Sequence, residues 1–413
     1  MCIRDRAANN TQIKKDYFWN TLGSVMSALA SVLLLMIVTQ VLGAYEGGIF
    51  ALAFAVAQQF QTLGQYEMRP YQATDVESKY SFGVYYASRI VTCVLMVVGV
   101  MLYAMYSNGF GYEALLLILL AGLRFFDAFE DVFHGMFQQR GRLDIAGKAF
   151  FGRVLATVVS FALSIFVFRD ILVACVISII VSTVFMIVLN IPAARTFVRV
   201  KPMFDFRKIR QLLVACFPLF LGSFLLIYLV NAPRYGIESL LSKEYQTYYA
   251  ILFMPAMVIN LVSGFIFKPL LTTLAKRWSE GSKRGFVAII AKGLLAVFAT
   301  SVLALLIAYP LGIPVLSFLY GVDLSEFRSV LLVLLVGGGF NAASVILYYG
   351  IITTRHQNIV LPGYALAAAV AFLLTNAMIG QFGMMGAAFL YDGIMALLVL
   401  IFGLCNVYYI KRG

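Results

Sequence analysis

The stretch ALLLILLAGLRFFDAFEDVFHGMFQ, residues 114–138, decides the fold because it is apolar enough to cross a membrane and yet carries charge. At about 100° of rotation per residue, a helix here gathers its polar side chains into an arc of roughly 120°. These side chains are Arg124, Asp127, Glu130, Asp131, His134 and Gln138. Inserting the four full charges costs on the order of 10 kcal/mol, against roughly 7 kcal/mol gained from the apolar residues. The helix therefore requires polar partners or a water-filled cavity along its charged face.

The composition of the whole chain excludes a soluble globular protein. Of its 413 residues, 62% are hydrophobic and 12% are charged, and the mean hydropathy is +0.91. Apolar stretches of about 18 residues or more, long enough to cross a bilayer, recur along the sequence. They predict an all-α polytopic membrane protein with about twelve transmembrane helices, at residues 17–42, 45–65, 83–106, 114–138, 146–168, 171–193, 209–232, 245–268, 286–309, 326–350, 359–379 and 385–408.

The distribution of basic residues predicts the orientation of these helices. Most of the 31 lysines and arginines fall on alternate connections, whereas the opposite connections carry only Arg169, Arg234 and Lys243. Since basic residues accumulate on the cytoplasmic side, both termini are expected to be cytoplasmic. The net charge of +12 is then mainly a signal of topology, and no nucleic-acid partner is expected.

An internal repeat predicts two domains. Shifting the chain by 199 residues aligns Leu42 with Leu241, Ala51 with Ala250, Phe54 with Phe253, Arg69 with Lys268 and Pro70 with Pro269. Chance similarity between apolar helices is the alternative. The repeat predicts two parallel six-helix bundles around a central cavity, residues 1–200 and 201–413, joined by the basic linker Arg195–Arg210.

Metal and cofactor chemistry is not expected. Four of the five cysteines lie inside apolar spans, and the only two histidines, His134 and His356, lie in opposite halves. This pattern indicates neither a disulfide framework nor a metal site.

Basic residues inside the spans are the candidates for binding an anionic substrate. Arg124 lies near mid-membrane in helix 4, and Arg89, Arg153 and Lys292 lie in helices 3, 5 and 9. A guanidinium can hold phosphate oxygens with two hydrogen bonds, so Arg124 and Arg153 are the main candidates, with Arg89 as a first contact from the cytoplasmic leaflet. The alternatives are that Arg89 and Lys292 only extend toward the interface, and that Arg153 pairs with Asp127 or Asp131.

The three carboxylates of helix 4 are candidates for ion coupling. Asp127, Glu130 and Asp131 lie within one turn on one face, so at least one should have a raised pKa unless an arginine compensates. One hypothesis is that a carboxylate binds a proton or sodium ion without substrate and releases it when phosphate occupies Arg124. The other is a static salt-bridge cluster that holds helices 3, 4 and 5 together.

Two short motifs resemble those of a known family. Leu42–Phe50 (LGAYEGGIF) resembles the Leu-Gly turn of bacterial polysaccharide biosynthesis membrane proteins of the O-antigen flippase type. Phe137–Arg142 (FQQRGR) is similar to the Leu-Gln-x-x-Gly-Arg motif that the family often carries at the end of helix 4, and Asn20 lies where the family tends to have a polar residue. The family belongs to the multidrug, oligosaccharidyl-lipid and polysaccharide exporter superfamily, and with twelve spans the likeness covers the whole chain.

The resemblance implies a flippase and not an enzyme. Such a protein moves an undecaprenyl-diphosphate-linked oligosaccharide, an O-antigen, capsule or exopolysaccharide repeat unit, across the bacterial cytoplasmic membrane by alternating access through a cationic cavity. The implied partners are this lipid-linked substrate and membrane lipid, with a glycan polymerase and glycosyltransferases as candidates. The three carboxylates of helix 4 depart from this pattern because they dilute its positive charge.

Three other functions fit the sequence less well. Lipid II flippases carry two further C-terminal helices. A cation-coupled multidrug antiporter of the superfamily usually has a carboxylate in helix 1 or 7, whereas no acid lies between Asp16 and Glu46 or between Asp205 and Glu238. A membrane glycan polymerase or ligase generally needs a large outer loop with catalytic residues, and the outer connections here are short.

Overall fold

The computed structural model describes residues 3–75, 79–109, 111–267 and 270–412, which are almost entirely helical and contain no strand. The helices are α1 (Ile3–Leu42), α2 (Ala44–Gln65), α3 (Met68–Thr74), α4 (Phe82–Asn108), α5 (Tyr112–Gln139), α6 (Leu143–Phe168), α7 (Ile171–Arg195), α8 (Phe206–Leu240), α9 (Lys243–Phe267), α10 (Leu271–Ser279), α11 (Lys283–Tyr320), α12 (Arg328–Thr353) and α13 (Val360–Arg412). Every predicted span lies on one long helix, apart from one or two terminal residues of some spans, and residue 268 at the end of the span 245–268 lies outside the described residues. The all-α prediction is therefore confirmed.

The last two predicted spans both lie in α13. Gly383 has φ 56° and ψ −133°, a conformation that interrupts the helix between them. A residue with a β-carbon adopts this conformation only at a considerable cost, which explains the glycine. The connection between the predicted spans 359–379 and 385–408 is thus a break at one glycine and not a loop.

Nine helices in the described part of the chain are long and apolar enough to cross a membrane. One of them is the 52-residue segment Val360–Lys411, which holds two predicted spans. The remaining predicted spans, in α2 and α5, are too polar to meet the same criterion because α2 is rich in glutamine and α5 carries four charges near its middle. Length and partners, not apolarity alone, identify these two helices as spans.

The order of the helices repeats along the chain. The helices α2 and α9 begin at Ala44 and Lys243, which are 199 residues apart, and each is followed by a short helix, α3 or α10. Longer helices follow in both cases, so the elements repeat in the predicted order. The matched pair of basic residue and proline cannot be compared, since Lys268 and Pro269 lie outside the described residues.

The chain divides by contacts into two compact units. Unit 1 comprises the residues up to Leu42 together with Ala53–Phe224, and unit 2 comprises Gly43–Leu52 together with the residues from Leu225 onward. This division reflects packing and does not test where the sequence repeat begins. The predicted boundary at residue 200, in the connection between α7 and α8, therefore stays a prediction.

The core of unit 1 fixes the rotation of α5 about its axis. Phe133 and Phe137 of α5 are buried in a cluster with Tyr85 of α4, Ala146 of α6 and Leu212 of α8. Burying aromatic side chains of this size gives about 2–3 kcal/mol each. Because this aromatic face occupies the core, the polar face of α5 is directed toward other helices of the same unit.

Unit 2 packs around three consecutive glycines of α12. The sequence allows Gly337, Gly338 and Gly339 to be a kink, but α12 is continuous from Arg328 to Thr353. A β-carbon on Gly338 would lie 2.9 Å from the Cα of Ala256 in α9. The glycines therefore permit close helix packing rather than bending.

Candidate functional site

Arg153 of α6 is the centre of one group of ion pairs on the polar face of α5. Its Nη2 donates to the carboxylates of Asp127 and Glu130, at 2.7 Å from Glu130 Oε1. The other oxygen of Glu130 accepts from Asn190 Nδ2 of α7 at 3.4 Å. The side chains of Arg153 and Glu130 are only 3% and 1% exposed. This group is therefore closed to solvent in the present conformation.

Asp131 is the centre of a second group. Arg89 of α4 donates from Nη2 to Asp131 at 2.8 Å and from Nη1 to the carbonyl oxygen of Gly64 at 2.6 Å. Arg69 of α3 donates to the other oxygen of Asp131 at 3.4 Å and to Gln138 at 3.2 Å. The Arg89 side chain has no exposed area. Its guanidinium is thus out of reach of a substrate in this conformation.

Arg124 differs from the other predicted arginines in its accessibility. Its Nη1 donates to Asp127 at 2.8 Å, and its guanidinium carbon lies 4.1 Å from the ring centre of Phe54. Its side chain is 15% exposed. Asp127 is its only ionic partner in the described part of the chain, and Asp127 is shared with Arg153.

A small cavity borders Arg124. It has a volume of about 40 Å³ and is lined by residues of α1, α2, α5 and α6, among them Phe54, Arg124, Asp127 and Arg153. This is room for about two or three water molecules and is far below the several hundred Å³ of a typical ligand pocket. The cavity can hydrate Arg124, but a sugar diphosphate requires a more open conformation.

The two groups lie on the same face of α5, and together, as the ion-pair network, they have a positive balance. It joins four guanidiniums, those of Arg69, Arg89, Arg124 and Arg153, to three carboxylates, those of Asp127, Glu130 and Asp131. Removing one partner from a buried ion pair typically destabilises a protein by about 3–5 kcal/mol because the other charge stays buried. These pairs supply the polar partners that insertion of α5 requires.

The structure brings three of the four predicted substrate-binding residues into one network. Arg89, Arg124 and Arg153 all belong to unit 1 and pair with carboxylates of α5. Lys292 lies on α11 in unit 2, where it is exposed and makes no hydrogen bond or ion pair with any described residue. The role of all four in binding substrate stays a prediction.

Each predicted coupling carboxylate has a guanidinium partner. Asp127 pairs with Arg124 and Arg153, Glu130 with Arg153, and Asp131 with Arg89 and Arg69. The sequence predicts a raised pKa for one of these carboxylates only if no arginine compensates it, and here each has such an arginine. Among the hypotheses for these residues, the alternative of a salt-bridge cluster matches the observed contacts, which join α4, α5 and α6.

Two members of the network were not predicted from the sequence. In the sequence, Arg69 counts among the basic residues of the cytoplasmic connections, and nothing indicates a role for Asn190 in this network. The signal for Arg69 was its place one turn after α2, where its side chain can reach the inner end of α5. The signal for Asn190 is a carboxamide near the end of a long and mostly apolar segment, since a polar group buried there needs a partner.

The FQQRGR motif closes α5 and anchors its neighbours. Gly141 has φ +67°, which favours glycine, and Arg142 forms an ion pair with Asp144 at 2.9 Å. Gln139 donates to the backbone carbonyl of Asp75 at 2.6 Å. The motif therefore fixes the connection after α3 and the start of α6 relative to α5.

The Asp75 carboxylate organises the connection that Gln139 anchors. It accepts hydrogen bonds from the backbone N–H groups of Lys79 and Tyr80 and from the Tyr85 hydroxyl, at 2.8, 3.1 and 2.9 Å. Partial burial raises the pKa of Asp75, but the three hydrogen bonds outweigh burial and hold the pKa below its usual value. The ionised form is thus the structural form.

Comparison with known proteins identifies one family and several structures. A family model described as polysaccharide biosynthesis protein matches residues 13–275. None of the curated proteins compared with the chain matches it. A transporter of the MOP superfamily from Pyrococcus furiosus is 14% identical, with 98% of this chain and 96% of that chain covered and a TM-score of 0.58.

Two MATE transporters are similar over 98% of both chains. The eukaryotic AtDTX14 is 12% identical with a TM-score of 0.61, and VcmN from Vibrio cholerae, in its bent form, is 13% identical with a TM-score of 0.58. At these identities the likeness establishes the fold alone. The fold of the chain is therefore that of membrane transporters of the MOP superfamily.

Proposed function

Because the chain belongs to the polysaccharide biosynthesis protein family, we propose that it is a flippase for a lipid-linked oligosaccharide. The proposed substrate is an undecaprenyl-diphosphate-linked repeat unit of an O-antigen, a capsule or an exopolysaccharide. One observation carries this proposal: Arg124, inside a predicted membrane span, borders a cavity and shares Asp127, its one carboxylate partner among the described residues, with Arg153.

Sharing of Asp127 makes exchange of partners favourable. A diphosphate carries about two negative charges and can accept two parallel hydrogen bonds from one guanidinium. When it takes Arg124, Asp127 keeps its hydrogen bond from Arg153 and is not left as an isolated buried charge. The substrate therefore replaces one of two ionic contacts of Asp127, at a lower cost than breaking an unshared pair.

Arg153 and Arg89 have supporting roles in this proposal. Arg153 adds positive potential beside Arg124 and holds the carboxylates in place. Arg89 becomes a first contact only in a conformation that exposes its guanidinium. Lys292, exposed on α11, is a candidate contact from unit 2.

The carboxylates provide a possible route for ion coupling. With two guanidinium partners, Asp127 has little tendency to bind a proton or sodium ion. When phosphate binds Arg124, Asp127 loses one of its two guanidinium partners and binds a cation more readily. Binding of the cation and binding of the substrate are therefore coupled through Asp127. Asp131 offers a second position of the same kind, since it has two guanidinium partners, one of them partly exposed.

The proposal includes location and partners. The chain is placed in the bacterial cytoplasmic membrane with both termini cytoplasmic, because basic residues dominate the connections on that side. It takes its substrate from glycosyltransferases and delivers it to a glycan polymerase on the outer side. A transport role needs no catalysis by the chain.

Reconstitution tests the proposed function directly. Proteoliposomes with the purified chain and a fluorescent undecaprenyl-diphosphate-linked oligosaccharide should make the glycan accessible to an added glycosidase faster than protein-free liposomes. An Arg124→Ala chain, inserted at the same density, should be close to the protein-free rate. Movement of the glycan at the same rate with and without the chain would contradict the proposal.

A cation-coupled multidrug antiporter is the second candidate. It is favoured by the structural likeness to proteins described as multidrug resistance MATE transporters. The absence of an acid between Asp16 and Glu46 opposes it. Expression in a dye-sensitive host separates the two candidates, because an antiporter should confer resistance to cationic dyes and a glycan flippase should not.

A further inference from the structure

Arg234 lies inside a helix of unit 2, although its sequence position suggested an outer connection. The apolar pattern predicted the end of the seventh span at residue 232, which left Arg234 outside. In the structure α8 continues to Leu240, so Arg234 is six residues before the helix end. Its side chain is partly buried, and its Nε is fully enclosed.

No carboxylate of the described residues forms an ion pair with Arg234. Its Nη1 donates to the backbone carbonyl of Ala51 at 3.3 Å, and its Nε has no hydrogen-bond partner in the described part of the chain. Glu238, one turn further along α8, pairs with Lys243 instead. The contrast is with unit 1, where every arginine of the network has a carboxylate partner.

A second unsatisfied donor lies close to Arg234. Tyr249 of α9 is completely buried, and its hydroxyl has no hydrogen-bond partner among the described residues. The Tyr249 ring is stacked on the ring of Phe253 at 5.9 Å, and the Arg234 guanidinium carbon lies 5.9 Å from the centre of the same Phe253 ring. The Arg234 Nε and the Tyr249 hydroxyl are both buried and both lack an acceptor, so together they favour an anion with several oxygens.

The aromatic surroundings of Arg234 resemble those of Arg124. The guanidinium carbon of Arg234 lies 5.9 Å from the ring centre of Phe253, and that of Arg124 lies 4.1 Å from the ring of Phe54. Phe54 and Phe253 are paired by the 199-residue repeat. The arginines come from helices that are not equivalent, α5 and α8, so each unit has a guanidinium on an equivalent ring.

We propose that Arg234 and Tyr249 form a phosphate-binding site in unit 2, whose ligand is a diphosphate or phosphate monoester. Guanidinium and phenol groups supply N–H and O–H donors that match phosphate oxygens. The choice of phosphate over other anions rests on the proposed function. The site itself depends only on the missing acceptors and the uncompensated charge.

Binding of inorganic pyrophosphate to the purified full chain tests the site. Calorimetric titration in nanodiscs of phosphatidylcholine avoids anionic headgroups. Arg234→Gln should weaken binding by about tenfold or more, and Arg234→Lys should weaken it less. Tyr249→Phe removes only the hydroxyl and should weaken binding by a factor of about three to ten. The matched control is Arg328→Gln, since Arg328 is an exposed arginine stacked on Tyr309 at 5.7 Å, and binding should not change.

Several results would overturn the site. They are wild-type affinity in the Arg234→Gln chain, no binding of millimolar pyrophosphate by the wild type, and complete loss of binding in Arg124→Gln alone. If Arg234→Gln does not fold, Tyr249→Phe and Arg234→Lys decide, and wild-type affinity in both contradicts the proposal. Displacement of pyrophosphate by phosphatidylglycerol in the nanodisc would identify a bulk lipid headgroup and contradict a substrate diphosphate.

The two proposals fail in different ways. A chain that binds pyrophosphate through Arg234 but does not move lipid-linked glycan contradicts the proposed function and leaves the site intact. A chain that moves glycan with unchanged pyrophosphate affinity in Arg234→Gln contradicts the site alone.

Discussion

Arg89 Nη2 lies 2.8 Å from Asp131 Oδ2, and this contact joins α4 to α5 at a point where Arg89 has no exposed area. The arginine also donates to Gly64, at the end of α2. One guanidinium therefore connects three helices of unit 1, and the predictions begin with its removal.

Arg89→Ala should destabilise the chain by about 3–5 kcal/mol, because Asp131 would keep only the more exposed Arg69 as a partner. Thermal unfolding of the purified protein in detergent measures the effect. Arg328→Ala is the control and should lie within about 0.5 kcal/mol of wild type, since that arginine is exposed. Equal unfolding temperatures for Arg89→Ala and wild type would mean that the contact does not stabilise the fold.

Arg124→Ala should abolish most glycan movement while the unfolding temperature changes little, because Asp127 keeps Arg153. Arg124→Lys should restore part of the rate, since a lysine supplies charge without the planar fork. Initial rates in proteoliposomes at matched protein density measure both. Normal export by Arg124→Ala and by a stable Arg153→Ala would exclude these arginines from substrate binding.

Asp127→Asn and Asp131→Asn separate ion coupling from a static role. Under coupling, abundance and thermal stability should change little, while the pH or sodium dependence of glycan movement disappears. Under a static role, both changes should lower stability and leave the ion dependence of the remaining transport intact. The stability measurement is the more informative first step, because Asp127, Glu130 and Asp131 each form an ion pair with an arginine.

Asp75→Asn should lower stability at neutral pH by about 1–2 kcal/mol, because the charge strengthens the hydrogen bonds from Lys79, Tyr80 and Tyr85. The hydrogen bonds lower the pKa of Asp75 in the folded state, so its contribution is complete above the usual aspartate value of 3.8 and is lost as the pH falls through the folded value. Unfolding temperatures of both chains should therefore converge in acid. A difference that is constant from neutral to acid pH would contradict this origin.

Cysteine labelling tests the orientation. In a background without the native cysteines, a membrane-impermeant reagent added to intact cells should label positions 45 and 108 and not positions 140, 276 and 412. Labelling at 276 would contradict both the orientation and the parallel repeat. Permeabilised cells provide the control that the protected positions are reactive.

The sequence predicts the helices well and the contacts poorly, for a physical reason. Membrane helices follow from apolar length, so even α5, whose predicted span carries four charges, is found at 112–139 against a predicted 114–138. The identity of each ion pair depends on the rotation and depth of neighbouring helices, which periodicity does not give. Thus the sequence leaves two alternative partners for Arg153, Asp127 and Asp131. It does not indicate Glu130, which is the second partner of Arg153 in the structure.

Among the differences between sequence and structure, the position of a helix end changes the choice of functional residues most. The apolar window for α8 ended at residue 232, but the helix continues to Leu240 because its last turns pack inside unit 2. This shift of about two turns moves Arg234 from an outer connection to a partly buried position inside a helix. A prediction based on hydropathy alone assigns such a residue to topology and misses its chemistry.

Two adjacent glycines of α12, Gly338 and Gly339, should differ in the substitutions that they tolerate. A β-carbon at Gly338 meets the backbone of Ala256 at 2.9 Å, whereas at Gly339 it meets the Ser301 hydroxyl, which can rotate away. In a deep mutational scan, position 338 should therefore reject even alanine while position 339 accepts it. Over evolutionary time, the backbones of α9 and α12 can change at this crossing only together.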